Sequence, residues 1–551
     1  MVDLEVTGMS TFIEYDPDQV FLLPPSMADW LPTNHVIHYV RDAVNELDLT
    51  AIFNTYKPGG TGRPAFSPRM LTAVWIYAHM VGIRSSRRLE RALHENLAFR
   101  VLSGNQQPDF WTLNKFRTTH REALGNLLVQ TVRLARKVGL APMNQVAVDG
   151  TRIQANASKH SAMSYDRMLE KEKDLKKEIE EYLSSCDEAD RLDNEKFGQK
   201  KSAELPAHLK ESDKRLKAIR AAKSALEAEA RDRARAEQEQ RRQQAALEGR
   251  PFHPRINPEE AEPSPKAQRN FTDPESRIMA KKGKDVIQGY NAQAAVDAQT
   301  QIILAADLTN MAADAPHLIP MLDQVVSNTD AKPAEVTADA GYFSERNVAE
   351  TEYRLPDADV FIPPDRQKHS RVTSTEPTST TPAEVHQGKH ESEGTVAACS
   401  PTEGPTPPAN IDVLRPPQSG NEVSPEGDGP PSGDGPGVPH HADNAANDPA
   451  SSSPAPPRHA APPGPVNSAS NAPHVSAAKR MREKLTTQHG RDRYKLRRCS
   501  VEPVFGQIKG ARGLRQFQHR GQDKVRHMWR FECAVHNLLK CYTSGKSLVA
   551  A

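Results

Sequence analysis

Cysteine is scarce and scattered in this chain. Five cysteines (Cys186, Cys399, Cys499, Cys533 and Cys541) in 551 residues contain no CxxC pair and make an odd number. That disfavours both a disulfide framework and a zinc ribbon, and it fits a reducing compartment. The local set Cys533, His536 and Cys541 reads as an apolar helix end rather than a metal site. Long apolar runs are missing as well. The longest, Leu71 to Ile83, is short and broken by His79, and the N-terminus MVDLEVTGMSTFIEYD lacks the basic flank and apolar run of a signal peptide. No membrane span or membrane partner is therefore expected, and the expected location is cytoplasmic. Aromatic residues make up only 5% and mean hydropathy is −0.68, so much of the chain cannot belong to a packed core.

Net charge is also nearly absent, at +1, but a whole-chain sum hides segregation. Residues 479–546 hold 18 Lys or Arg against 5 Asp or Glu. That basic segment is what a nucleic-acid partner would require.

At 551 residues the chain exceeds what one growing core accommodates, so several domains are expected. Residues 1–140 read as an all-helical DNA-binding domain. Leu71, Val74, Trp75 and Ala78 follow the i, i+3, i+4, i+7 rule, with Ser67 and Pro68 suited to the helix start. A Gly-containing turn (Val81 to Arg84) leads to the basic helix Ser85 to Arg91, a helix-turn-helix outline in which Arg84, Arg87, Arg88 and Arg91 would meet DNA. A third long helix is expected from Asp109 to Val138, with Phe110, Leu113, Phe116 and Leu124 inward. Residues 141–164 begin a catalytic core, where Val146-Ala147-Val148 predicts a buried strand ending near Asp149.

Residues 165–250 change character. Met168, Leu175, Ile179 and Tyr182, then Leu209, Leu216, Ile219 and Leu226, stand at heptad-like spacing among alternating charges, which predicts an inserted antiparallel helical hairpin with a solvated face. Residues 251–369 return to the core: Tyr290 to Val296 and Ile302 to Leu308 flank a turn, a helix covers Ala315 to Val326, and short strands are expected at Ala334 to Ala338 and Asp359 to Pro363. Residues 370–478 are Pro, Ser, Thr, Gly, Ala and Asn with almost no aromatics, which predicts a disordered insertion. Residues 479–545 are the basic helical end of the core.

Three acids stand out by their settings. Asp149 and Asp339 each follow a short apolar run and precede a glycine closely, in VAVDG and VTADAG. Glu502 lies between Ser500, a natural N-cap, and Pro503, which belongs in a first helical turn, so Glu502 is placed at a helix start. Seven residues on, Lys509 would return to within about 20° of the same face. Three carboxylates gathered in one cleft need metal ions to neutralise them, and hard oxygen ligands select Mg²⁺ or Mn²⁺. Two such ions roughly 3.5–4 Å apart serve phosphodiester displacement. The competing reading makes Asp149 and Asp339 turn residues and Glu502 an acid favoured by the helix dipole.

The segment DRYKLRRCSVEPVFGQIKG resembles the signature of bacterial insertion-sequence DDE transposases, in which Tyr, Arg, catalytic Glu and Lys recur at set intervals. Arg498 precedes Glu502 by four and Lys509 follows it by seven, as in that pattern, whereas Tyr494 is one residue further from Arg498 than the commonest spacing. Arg497 restores that interval, which leaves two arginines for one role. VAVDGTRIQANASKH and VTADAGYFSERNV resemble the family's two Asp blocks, and GRPAFSPRMLTAVWIYAHMVGIRSSRRLERALHENLAFRVLSGNQQPDFWTLNKFR resembles the N-terminal helical domain of a large branch. The resemblance implies an α/β fold with a ribonuclease H-like catalytic core, the first Asp on the first strand, the second on the fourth and the Glu on a later helix.

It further implies metal-dependent cleavage and strand transfer at the ends of an insertion sequence. Asp149, Asp339 and Glu502 would hold Mg²⁺ or Mn²⁺ with Tyr494, Arg498 and Lys509 beside them, and Arg497, Lys524 and Arg526 would contact DNA. The expected partners are terminal inverted repeats and target DNA, bound by a homodimer associated with the bacterial nucleoid. A nuclease of the same core that does not rejoin DNA, or a silent DNA-binding derivative, are the alternatives.

Overall fold

Seven helices precede the first strand among the described residues of the computed structural model, which are 26–56, 64–197, 207–247, 249–254, 257–280, 285–365 and 476–546. They are α1 (Val36–Glu46), α2 (Thr50–Phe53), α3 (Pro68–Met80), α4 (Ser86–Glu95), α5 (Leu97–Leu102), α6 (Phe110–Thr119) and α7 (Arg121–Lys137). The predicted stripe on α3 is buried, and so are all the other residues from Leu71 to Met80, because helices and the C-terminal segment surround it. Ser67 makes no side-chain cap, whereas Ser85 accepts from the Arg88 amide and starts α4.

One long helix from Asp109 to Val138 is not what forms. The chain breaks at His120 (φ −102°, ψ 19°), whose ring is buried between Tyr56 and Phe116 at centroid distances of 5.8 and 4.8 Å. Packing of that one imidazole outweighs helical continuity. Leu113, Phe116 and Leu124 are buried as expected, but Phe110 is 39% exposed beneath the Arg87 guanidinium, because Asp109 caps α6 at the surface edge.

The strands are β1 (Gln145–Gln154), β2 (Ala162–Ser164), β3 (Gln268–Asn270), β4 (Arg277–Ala280), β5 (Val286–Asp297), β6 (Ile303–Thr309), β7 (Glu335–Ala338) and β8 (Asp359–Phe361). β1 is central, antiparallel to β5 on one side and parallel to β7 on the other, and β8 extends the parallel side. β5 spans two partners, pairing with β4 through its first residues and with β6 through its last. The main sheet therefore runs β6-β5-β1-β7-β8. β1 does not stop near Asp149: its ladder with β5 continues from Val146 to Gln154, so the apolar run and the Thr151–Gln154 alternation are one strand.

Between β2 and β3 stand α8 (Tyr165–Phe197) and α9 (Ala207–Leu247), with a small core of Met168, Leu175, Leu216, Ile219, Ala222 and Leu226. Glu172 bridges Arg220 and Lys223, and the Tyr165 hydroxyl donates to Glu227, which fixes the two helices antiparallel. α10 (Leu318–Thr329) and α11 (Glu345–Arg354) connect the later strands, and α12 (Ala477–Thr486), α13 (Gln488–Gly506) and α14 (Gln522–Thr543) close the molecule. The expected insertion at 370–478 lies almost wholly outside the described residues.

α14 is buried along most of its length and packs against α3, α7 and β6. One continuous core therefore runs from α1 through the sheet to α14, and the N-terminal helices share it with the strands. No described helix is long and apolar enough to cross a membrane.

Candidate active site

The site begins with register. Val148 on β1 pairs with Ala338 on β7 in parallel, so the next residues, Asp149 and Asp339, lie side by side on the same face of the sheet. Asp149 sits within its strand, and Asp339 follows the end of β7, where its carboxylate accepts from the Gly341 amide at 2.9 Å. Asp149 accepts from the Gly150 amide at 2.8 Å through Oδ1 and from Arg497 at 2.8 Å through Oδ2. Burial pushes the Asp149 carboxyl up to about 6, Arg497 pulls it back and the neighbouring Asp339 charge pushes it further up. Desolvation plus a like charge wins over one guanidinium.

α13 lies over β1 and β7 and carries Tyr494, Arg497, Arg498 and Glu502. The two candidate arginines have different tasks. Arg497 reaches Asp149 and stacks 5.7 Å from the Tyr494 ring, whereas Arg498 lies 3.9 Å from Glu502 on the exposed side. Burial raises the Tyr494 hydroxyl above its ordinary value, Arg497 opposes that, and the charges of Asp339 and Asp149 add to it, which places Tyr494 beside the pair. Lys509 donates to Thr151 Oγ1 at 2.9 Å and to the Arg152 carbonyl at 3.2 Å, on the strand that carries Asp149.

Glu502 is not at a helix start. It lies inside α13, four residues from its end, with Pro503 inside the helix too. Ser500 does not cap; its hydroxyl donates back to the carbonyls of Leu496 and Arg497, both at 3.0 Å. Pro503 has no amide hydrogen to offer the Cys499 carbonyl, and the side-chain amide of Gln301 donates to that carbonyl instead, at 3.1 Å. A distant glutamine thus lets the helix continue through a proline. Residues Gln507–Ala511 then form a π-helical turn, so the even 100° step from Glu502 to Lys509 does not hold. Glu502 is 55% exposed, and among the described residues no three His, Cys, Asp or Glu side chains are grouped closely enough to hold a metal. The structure brings Asp149 and Asp339 together and leaves Glu502 apart.

The expected DNA contacts also divide. Arg87, Arg88 and Arg91 are exposed on α4, and Lys524 is exposed near the start of α14. Arg84 is buried, contrary to its expected DNA role: its guanidinium binds Glu532 and donates to the Arg512 carbonyl at 2.5 Å. Gly82 (φ +77°) makes that turn possible, because a methyl there would stand 3.0 Å from the same carbonyl. Burial pushes the Glu532 carboxyl up, but Arg84, His79 and Arg512 outweigh it and hold it well below the carboxylate range. Arg526 is tied to Asp307 at 2.9 Å, which turns it toward the sheet.

One acid beside the pair went unremarked in the sequence. Asp314, in NMAADAPH, accepts from Asn291 at 2.7 Å and Gln293 at 3.0 Å. Its trace in the sequence was indirect: the glycines that follow Asp149 and Asp339 both adjoin it.

A mixed sheet with two adjoining carboxylates at its centre, a lysine from the turn after α13 bonded to the strand of one of them, and a strongly basic C-terminal segment fit an enzyme of phosphodiester chemistry. Three family models match the chain: a transposase domain (DUF772) over residues 25–119, a transposase DDE domain over 251–402 and another transposase DDE domain over 467–542. The chain belongs to the DDE transposases, divalent-metal-dependent enzymes that bind and cleave DNA. Asp339 and Glu502 fall within the two DDE matches, and the strand of Asp149 precedes both. No curated protein and no solved structure matches the chain.

Proposed function

We propose that this transposase cleaves and joins DNA at the ends of an insertion sequence with Asp149, Asp339 and Glu502 as its acids and Mg²⁺ or Mn²⁺ as its cofactor. The adjacency of Asp149 and Asp339 on parallel neighbouring strands carries the assignment. Their donor set fits the ion: two carboxylates on one face, one already drawing a guanidinium and pushed up by burial and by its neighbour. The strand order, with β5 antiparallel to the central β1 and with β1, β7 and β8 mutually parallel, supports a ribonuclease H-like core.

When bound, the metal supplies charge neutralisation and orientation of the attacking and leaving oxygens. The chain's residues supply the rest. Asp149 and Asp339 hold fixed carboxylates, and Arg497, stacked near Tyr494, keeps Asp149 oriented. Lys509 presents an ammonium two residues along β1 and holds a DNA phosphate there. Glu502 would supply the third carboxylate from α13, since its exposed pairing with Arg498 contributes only about 0–1 kcal/mol to holding it where it is. Joining two element ends requires two active centres, so the working form is a homodimer on DNA, acting in the cytoplasm on nucleoid DNA.

The test is cleavage and strand transfer on a DNA fragment bearing the element's ends. Asp149→Asn, Asp339→Asn and Glu502→Gln should each abolish cutting while DNA binding stays within a few-fold of wild type, and Ca²⁺ should support binding without cutting. Cutting near the wild-type rate by any of the three variants refutes that residue's role. Cleavage by the native chain with no joined product would make it a nuclease instead.

A further inference from the structure

Asp314 stands immediately before a short 3-10 turn, Ala315–His317, a position where an aspartate ordinarily caps, yet its side chain makes no capping bond. It turns inward instead. Oδ1 accepts from the side-chain amides of Asn291 and Gln293, both buried on β5, and the Gln293 side-chain oxygen in turn accepts from the buried Tyr342 hydroxyl. Asn347 of α11 clamps the same region by donating to the Ala315 carbonyl at 2.7 Å and the Tyr342 carbonyl at 2.8 Å. The loop carrying Asp314 is thus tied at two points to the loop that carries Asp339.

Both neighbouring glycines answer to this arrangement. A methyl on Gly150 would stand 2.6 Å from Gln293 Nε2, 2.8 Å from Asn291 Oδ1 and 3.0 Å from Asp314 Oδ1. A methyl on Gly341 would stand 3.0 Å from Asp339 Oδ1 and 3.2 Å from Asp314 Oδ2. The two carboxylates therefore face one another across Gly341 with only a hydrogen between them and that backbone.

We propose that Asp314 is a positioning residue for the metal site: held by Asn291 and Gln293, it sets the Asp339 carboxylate across Gly341 and adds its charge to the field at the cation. This rests on Asp149 and Asp339 being the metal-holding pair. The carboxylate matters beyond its hydrogen bonds. An asparagine could still accept from both amides through its oxygen, but it would put a neutral NH₂ beside Gly341 where the charged Oδ2 lies, removing that charge from the field at the cation. Partners of this kind, once removed, commonly cost 10–100-fold in metal affinity.

The experiment is Mn²⁺ titration of the full chain without DNA, followed by electron paramagnetic resonance of the free ion, alongside metal-free melting curves. Asp149→Asn and Asp339→Asn serve as controls and should lose the tight site. Asp314→Asn should melt like wild type yet bind Mn²⁺ at least about tenfold more weakly. Gly341→Ala, which wedges a methyl between the two carboxylates, should weaken Mn²⁺ similarly and serves if Asp314→Asn does not fold. Wild-type Mn²⁺ affinity in a folded Asp314→Asn, with the controls dead, overturns the role of Asp314. Wild-type affinity in the controls overturns the metal pair itself.

Discussion

A carboxyl raised to about 6 from the ordinary aspartate value of 3.8 couples Asp149 to pH in a definite direction. Between those values the native state holds a proton that the unfolded chain has released, so without metal the fold loses stability as pH rises through that window. The loss amounts to about 3 kcal/mol once pH passes 6, and Asp149→Asn should flatten it in urea melts taken across that range. A bound cation must displace the same proton, so Mn²⁺ affinity should fall about tenfold per unit below pH 6. An affinity unchanged at pH 5 would contradict this. A second residue-scale case is Glu532, which neutralises Arg84 and Arg512 inside the core and hydrogen-bonds His79 Nδ1 at 2.9 Å. Glu532→Gln leaves buried cations uncompensated and should cost about 3–5 kcal/mol by denaturant unfolding. Asp149 and Asp339 stood out because a short apolar run ending in Asp, with a glycine one or two residues on, is a local signal. The burial of Arg84 was not, since its partners lie more than four hundred residues along the chain.

Among the elements, those that short-range pattern determines were legible: the start of α4, the α8–α9 pair and the β5–β6 hairpin follow from caps, heptads and turns. Those shaped by remote contacts were misread. α6 and α7 divide where His120 packs on Tyr56, and α13 runs through Pro503 because Gln301 serves the carbonyl the proline cannot. α4 yields the prediction that belongs at this scale. Its buried side is Leu89 and Leu93, and Arg87, Arg88 and Arg91 face outward. If α4 reads the element's ends, Arg87→Ala with Arg91→Ala reduces the preference for those ends by about 1–3 kcal/mol per lost base contact, whereas Lys524→Ala weakens specific and random DNA alike. Competition binding at two salt concentrations separates them. An equal loss on both DNAs for the arginine pair would remove α4 as the reader.

Across the whole molecule, the α/β core with its helical N-terminus and inserted hairpin was foreseeable from the alternation of periods. The sharing of one core was not: α14 and α7 are far apart in sequence, and only their packing reveals that the N-terminal helices and the sheet are one body. The chain re-enters this body at α12, fastened by Lys484 to Asp359 and by Arg480 to Glu352 at 2.8 Å. Deleting residues 375–475 should accordingly leave the helical circular dichroism and the melting transition in place; loss of most helix would show that the segment contributes to the fold. The central claim, that Asp149 and Asp339 hold the metal, is tested most directly by replacing Mg²⁺ with Fe²⁺ and mapping where peroxide then cuts the protein backbone. Cuts should fall on β1 around Asp149 and on the turn after β7 around Asp339, and should vanish in Asp149→Asn. Cuts confined to other segments, or unchanged in that variant, would contradict the account.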